Sequence, residues 1–397
     1  MAKRCAFVLY TAILLCALPL WKFLKAESYL YTYQTLSNGD VLSGLTTLNA
    51  GARIGVAASN TDRIIFDSVG TLNGAVAFGG NRTSYPATNA STLVLANDLK
   101  LGSTIAFTSQ ASIEGNGCSL LLTGSMRISN EVEVRGDLTI NGGGNTLELD
   151  TAGYFKLLRY DNNAGLVLTS TLRLRNMRLV QKSNRFVSCS SDSGQNQGGY
   201  GTNQYDMGAL IESQTNPDSI PLCQIGTLEL ENVDLFLGAD ASFYGYLSVK
   251  GRVRIFGPGY NFILTPAYAC GGVKAGGLLY VGPGATFWYR GHGRSFFDCE
   301  DSSSIFWLDN CTVKVEAGVA ADPLYEVFNG WKLSRGTVIF DNRVTINNFT
   351  KETTNSFNTA ASRSFELGND GVATETQILL MAGAQVDVGG YLYHNPL

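Results

Sequence analysis

From Val132 to Ile140 every second residue is apolar or glycine, and the run closes at Gly142-Gly143-Gly144. The same layout returns at Leu247, Val249, Gly251, Val253 and Ile255 before Gly257-Pro258-Gly259, with Lys250 standing where Arg135 stands. Looser copies run from Ile105 to Gly115-Asn116-Gly117 and from Val281 to Gly291-His292-Gly293. Alternation with a period of two buries one face of a strand, and a Gly-x-Gly closure supplies a tight turn. Repetition of that unit predicts an all-β solenoid in which each coil covers the apolar face of its neighbour.

A second unit describes the bend between strands. Leu172, Leu174, Asn176, Met177 and Leu179 are echoed by Leu228, Leu230, Asn232, Val233 and Leu235, and by Phe306, Leu308, Asn310, Cys311 and Val313. In each, the inward parity holds up to the asparagine and slips by one after it. A one-residue slip turns a strand over, so the chain must round a corner there to keep its apolar side inward. Asparagine suits such a corner because it enters the left-handed region more readily than other non-glycine residues. Met126–Asn130 and Val338–Asn342 are partial versions without the slip.

Together these units resemble the pectate-lyase-like right-handed parallel β-helix. The resemblance spans most of Leu45 to Val388 and is architectural. It implies an internal asparagine ladder, with Asn176, Asn232 and Asn310 as inward structural corners, and loops of variable length at other corners. After allowance for loops, roughly ten to twelve coils fit, a rod of about 50 Å at a strand spacing of about 4.8 Å.

The expected organisation is a signal peptide over 1–26, an N-terminal cap over 27–44, and the β-helix over 45–397 with loop insertions at 181–224, 258–277 and 347–376. Lys3 and Arg4 precede an apolar run from Cys5 to Trp21, the layout of a secretory signal. Cleavage after Ala26 is expected, with retention as an uncleaved membrane anchor as the alternative. Six cysteines then remain, and an even number in an exported chain permits disulfides. Cys189 and Cys223 flank one polar segment and form the expected pair, while Cys118 and Cys311 occupy inward strand slots and read as buried thiols.

A formal charge of −4 from 29 basic and 33 acidic side chains is too small to steer the chain to a polyanion, which argues against nucleic acid as a partner. Two histidines remove most routes to a histidine-bearing zinc site or catalytic triad. Gly291-His292-Gly293 resembles the tripeptide of polygalacturonases but lacks their neighbouring motifs, and it falls where the repeat demands a turn.

Asp298, Glu300 and Asp301 form the one tight carboxylate cluster. With Arg290 and Arg294 nearby, the resemblance implies a place for Ca²⁺ beside a polysaccharide; the alternative is a solvated turn. Trp288 and Trp307 are placed on outward parity and, with Arg290 and Arg294, are candidates to stack on and hold sugar rings. Arg173, Arg175 and Arg178 form a basic outer stripe, open either to a ligand or simply to water. Asn81, Asn89, Asn310 and Asn348 begin N-glycosylation patterns, with Asn310 expected to be unavailable as an inward corner.

The functional expectation is an exported, non-catalytic protein, secreted or at the cell surface, serving as a surface, adhesive or structural element and binding carbohydrate or a cell-surface component. The alternative is a polysaccharide lyase or glycoside hydrolase on the same scaffold, since fold alone does not choose between them.

Overall fold

The computed structural model describes residues 98–101, 105–107, 111–161, 167–191, 226–266, 271–291, 297–317, 331–350, 364–368, 375–389 and 391–394, together with short strands between 27 and 95. Every regular element among them is a strand. Among the described residues no helix is long and apolar enough to cross a membrane.

Two long parallel sheets carry the architecture. One is a single ladder running from Val41–Leu42 to Gln385–Gly389 through twelve successive parallel pairings. The other holds two ladders side by side, fused where Thr171–Gln181 and Thr227–Leu237 run without a break from one to the next. Ala241–Phe256 passes through all three ladders in 16 residues. A hairpin excursion pairs Tyr154–Asp161 antiparallel with Val167–Thr169. This arrangement is consistent with a parallel β-helix.

One apolar cluster takes side chains from both sheets, Val132, Leu138 and Leu147 among them, each 0% exposed. Burying such a side chain contributes about 1.5–3 kcal/mol. Toward the C-terminal rungs the cluster becomes aromatic: the Trp331 ring stacks on Tyr289 at 4.9 Å and on Phe287 at 5.4 Å, and meets Phe365 at 4.8 Å. Its Nε1 donates to the Phe297 carbonyl at 2.7 Å, so the buried indole carries no unsatisfied donor.

The corners are left-handed where expected: φ is 51° at Asn176, 54° at Asn232 and 44° at Asn310, and Asn342 joins them at 53°. The asparagine side chains are all exposed, which corrects the expected internal ladder. A left-handed residue between two inward neighbours aims its own side chain outward, so the slip that keeps Leu174 and Met177 inside puts Asn176 outside. The stack survives on the surface, where Asn232 Nδ2 donates to Asn176 Oδ1 and Asn176 Nδ2 to Asn141 Oδ1, both at 3.3 Å. Asn310 stands at a different corner, between the fused sheet and the single ladder.

Gly251 ends the asparagine stack. Its φ is 55°, and a Cβ there would lie 2.3 Å from Asn232 Oδ1. The nine-residue repeat thus bends at a left-handed glycine in both copies, at Gly136 (φ 68°) between Glu131–Arg135 and Leu138–Asn141 and at Gly251 within Ala241–Phe256.

The three expected insertions are interrupted by strands. Arg185–Ser191 lies inside 181–224 and pairs with Tyr154–Asp161. Within 258–277, Asn261–Pro266 and Gly271–Val273 belong to the ladders, and within 347–376 Ser364–Leu367 is the middle strand of a separate three-stranded parallel sheet, between Trp331–Leu333 and Tyr391–His394. Close packing hides the strand pattern: a Cβ on Gly272 would sit 1.9 Å from the Asp298 carbonyl oxygen, so no apolar residue can mark the place. The interval 27–44 contributes Glu27–Leu30, Gln34–Leu36 and Val41–Leu42, each paired parallel with a following strand. The segment 1–26 lies outside the described residues.

Candidate functional site

The residues singled out from sequence are dispersed. Trp288 belongs to the single-ladder sheet and Trp307 to the fused one. Lys314 Nζ sits 4.9 Å above the Trp288 ring. Trp307 meets Tyr280 edge-on at 5.7 Å, and its buried Nε1 finds no acceptor among the described residues. Arg290 is the fifth residue of Thr286–Gly291, while Arg294 lies outside the described residues.

The three carboxylates do not converge. Half-buried Asp298 accepts from the Ser334 backbone N–H at 2.8 Å, from the Ser334 hydroxyl, and from Cys299 N–H at 2.8 Å. Burial raises its carboxyl above the ordinary range against these bonds. Glu300 accepts from the Ala275 backbone at 3.0 Å, and Asp301 caps its own turn through Ser303 at 2.6 and 2.9 Å. Among the described residues no group of three such ligands is placed to hold a metal ion.

Cys118 is part-buried and Cys299 and Cys311 are buried, all as free thiols; burial pushes Cys299 and Cys311 up to about 12, which leaves them unreactive. Cys189 lies in Arg185–Ser191, but Cys223, its expected partner, is outside the described residues.

The outer arginine stripe is matched across strands. Arg173, Arg175 and Lys250 share the Glu229 carboxylate at 3.9, 3.2 and 2.9 Å, and Arg175 also reaches Glu231 at 2.8 Å. Burial alone would raise Glu229, yet Lys250 and Arg175 hold it below the ordinary range. Arg254 grips Asp234 through two bonds at 2.5 and 2.7 Å, and Arg178 lies 4.4 Å over the Phe236 ring. Parallel pairing explains the match, because residues on one outward row of successive strands stand side by side.

A further cluster has no counterpart in the sequence reading. In Glu131–Arg135 the inward positions are Val132 and Val134, so Glu131 and Glu133 point out, yet they are 2% and 0% exposed. Lys156 on the next strand is 5% exposed and stands opposite Glu133, with Nζ 3.8 Å from Glu131 Oε1. The Tyr154 hydroxyl donates to Glu131, and Arg185 Nη1 donates to that hydroxyl at 3.4 Å. Arg135 holds Glu133 at 2.7 and 2.8 Å.

Burial, then the Glu131 charge, raises the Tyr154 phenol and keeps it a proton donor. Charges withdrawn from water this far persist only when paired. The group gathers two carboxylates on one face of the strand, with the Tyr154 phenol and the Lys156 amine beside them. Its residues alternate with valines like any exposed strand, so no local signal announces their burial.

Comparison with protein-family models, with curated proteins and with solved structures returned no match.

Proposed function

We propose that the chain is an exported, non-catalytic right-handed parallel β-helix that serves as a surface, adhesive or structural element, its outer faces binding carbohydrate or a cell-surface component. The two sheets are walls of one tube, a reading supported by the single apolar cluster they share and by Ala241–Phe256, which threads all three ladders. Parallel strands joined by crossovers are right-handed in about 98% of cases. The single ladder's twelve pairings join thirteen strands among the described residues, which supports a solenoid of many coils. Export rests on the charged start and apolar run of Met1 to Ala26.

The observation that carries the functional reading is the charge matching around Glu229, where three cations share one carboxylate across successive strands. A catalytic groove holds acid and base groups ready for substrate, whereas here the outward ionised groups serve one another. Affinity electrophoresis of the purified protein in gels of neutral and acidic polysaccharides is expected to show retardation by one class. Incubation with the same polymers, with and without Ca²⁺, is expected to give no new reducing ends or unsaturated products.

One feature favours the second reading, a lyase or hydrolase: the buried Glu131, Glu133, Lys156 and Tyr154 group, which brings two carboxylates, an amine and a phenol together on one face. Product formation abolished by Glu133→Gln in a folded protein establishes that reading and overturns the first.

A further inference from the structure

We propose that Asn310 is an acceptor site for an N-linked glycan, an inference that rests on the export reading. Asn310-Cys311-Thr312 satisfies the acceptor pattern, and its asparagine and threonine both lie on described surface. Left-handed backbone at φ 44° turns the Asn310 side chain out between Leu308 and Cys311, which are 0% and 4% exposed. An attached sugar therefore leaves the core untouched.

Asn310 also differs from the other left-handed corners in having a free carboxamide. Asn176, Asn232 and Asn342 spend their amide N–H groups on neighbouring side chains at 3.3, 3.3 and 2.7 Å. The Asn310 carboxamide makes no hydrogen bond among the described residues. Its backbone holds the corner instead, donating to Asp341 O at 3.1 Å and accepting from Gly284 N at 2.8 Å. The fold thus loses nothing when Nδ2 is substituted.

There is room for the sugar. A shallow hollow of about 530 Å³ opens beside Asn310, edged by Pro283, Gly383, Asn342, Arg343 and Gln385. The small residues clear space, and Gln385, together with the guanidinium N–H groups that Arg343 keeps while its Nε holds Asp387 at 2.6 Å, can hydrogen-bond the hydroxyl and acetamido groups of a first N-acetylhexosamine. In the transfer, Nδ2 attacks C1 of a lipid-linked oligosaccharyl diphosphate. The C1–N bond forms, the bond from C1 to the diphosphate oxygen breaks, Nδ2 loses one proton, and the lipid diphosphate leaves. No oxidant or reductant is involved.

The test is translation of the full chain with endoplasmic-reticulum microsomes, scoring protease protection for import and peptide mass for the site. A protected chain is expected whose Asn310 peptide gains the mass of an amide-to-acid conversion after N-glycosidase treatment in heavy-oxygen water. Thr312→Ala is expected to abolish that signal and Thr312→Ser to retain it. An unmodified Asn310 peptide in a protected chain overturns the proposal and leaves the export reading standing. A chain that stays protease-sensitive overturns both.

Discussion

The asparagine corners turn a backbone requirement into measurable energies. A left-handed residue other than glycine or asparagine costs roughly 1–2 kcal/mol, and Asn232 also accepts from Arg252 N–H at 3.0 Å. Asn232→Ala is therefore expected to lower stability by about 2–3 kcal/mol, adding about 1 kcal/mol for the lost bonds. Asn232→Gly, which keeps the backbone relaxed, should lose less than half of that in denaturant titrations. Equal losses for the two variants would show that the conformation is not the cause. Gly251→Ala places a methyl against the Asn232 carboxamide, so its cost should shrink when combined with Asn232→Gly; strict additivity would contradict that contact.

Acid sensitivity belongs to the same scale. The two bonds from Arg254 hold the Asp234 carboxyl below its ordinary range. The unfolded chain then takes up the proton first, so the pair's stabilisation is full above about pH 4, the unfolded value, and fades as pH falls through the lower folded value. Asp234→Asn is expected to flatten stability against pH below about pH 4. An unchanged slope in that window would show that the pair contributes nothing.

At the scale of strands, the outer rows work as charge ladders. Glu229→Gln preserves shape and leaves Arg173, Arg175 and Lys250 side by side without their shared anion. A loss of about 1–2 kcal/mol is expected, between the values for exposed and buried pairs. It should diminish in 1 M salt, where screening acts within about 3 Å. A loss independent of salt would point to packing instead.

Strands and corners were readable in sequence because period and slip are local. Leu172, Asn176 and Met177 announce a corner without any knowledge of neighbouring coils. The direction of the asparagine was not readable, since a parity rule for extended residues says nothing about one in the left-handed region. The rungs at Asn261–Pro266 and Gly271–Val273 were lost because Pro266 and Gly272 interrupt alternation where backbones press together. The Glu131 and Glu133 cluster was invisible for another reason: whether an outward residue meets water depends on chain distant in sequence.

Over the whole molecule, each rung leans on the ones before and after, so stability varies along the axis. Val338 and Phe340 are 0% and 1% exposed, whereas Ile378 and Leu380, their partners in the next strand, are 37% and 62% exposed. Backbone amides of 375–389 are expected to exchange with deuterium well before those of 227–256, which lie between covered neighbours. Equal protection at both places would mean that the molecule opens only as a unit.

Asn232 and Gly251 occupy consecutive steps of one corner with nearly the same φ, so either residue serves as the joint between the two fused ladders. A stretch of gene encoding one turn can then be duplicated or deleted in frame with only its two flanks to accommodate. In the proposed β-helix, reach would be inherited as a tally of turns, open to change by copying errors that would ruin a domain whose distant parts must meet.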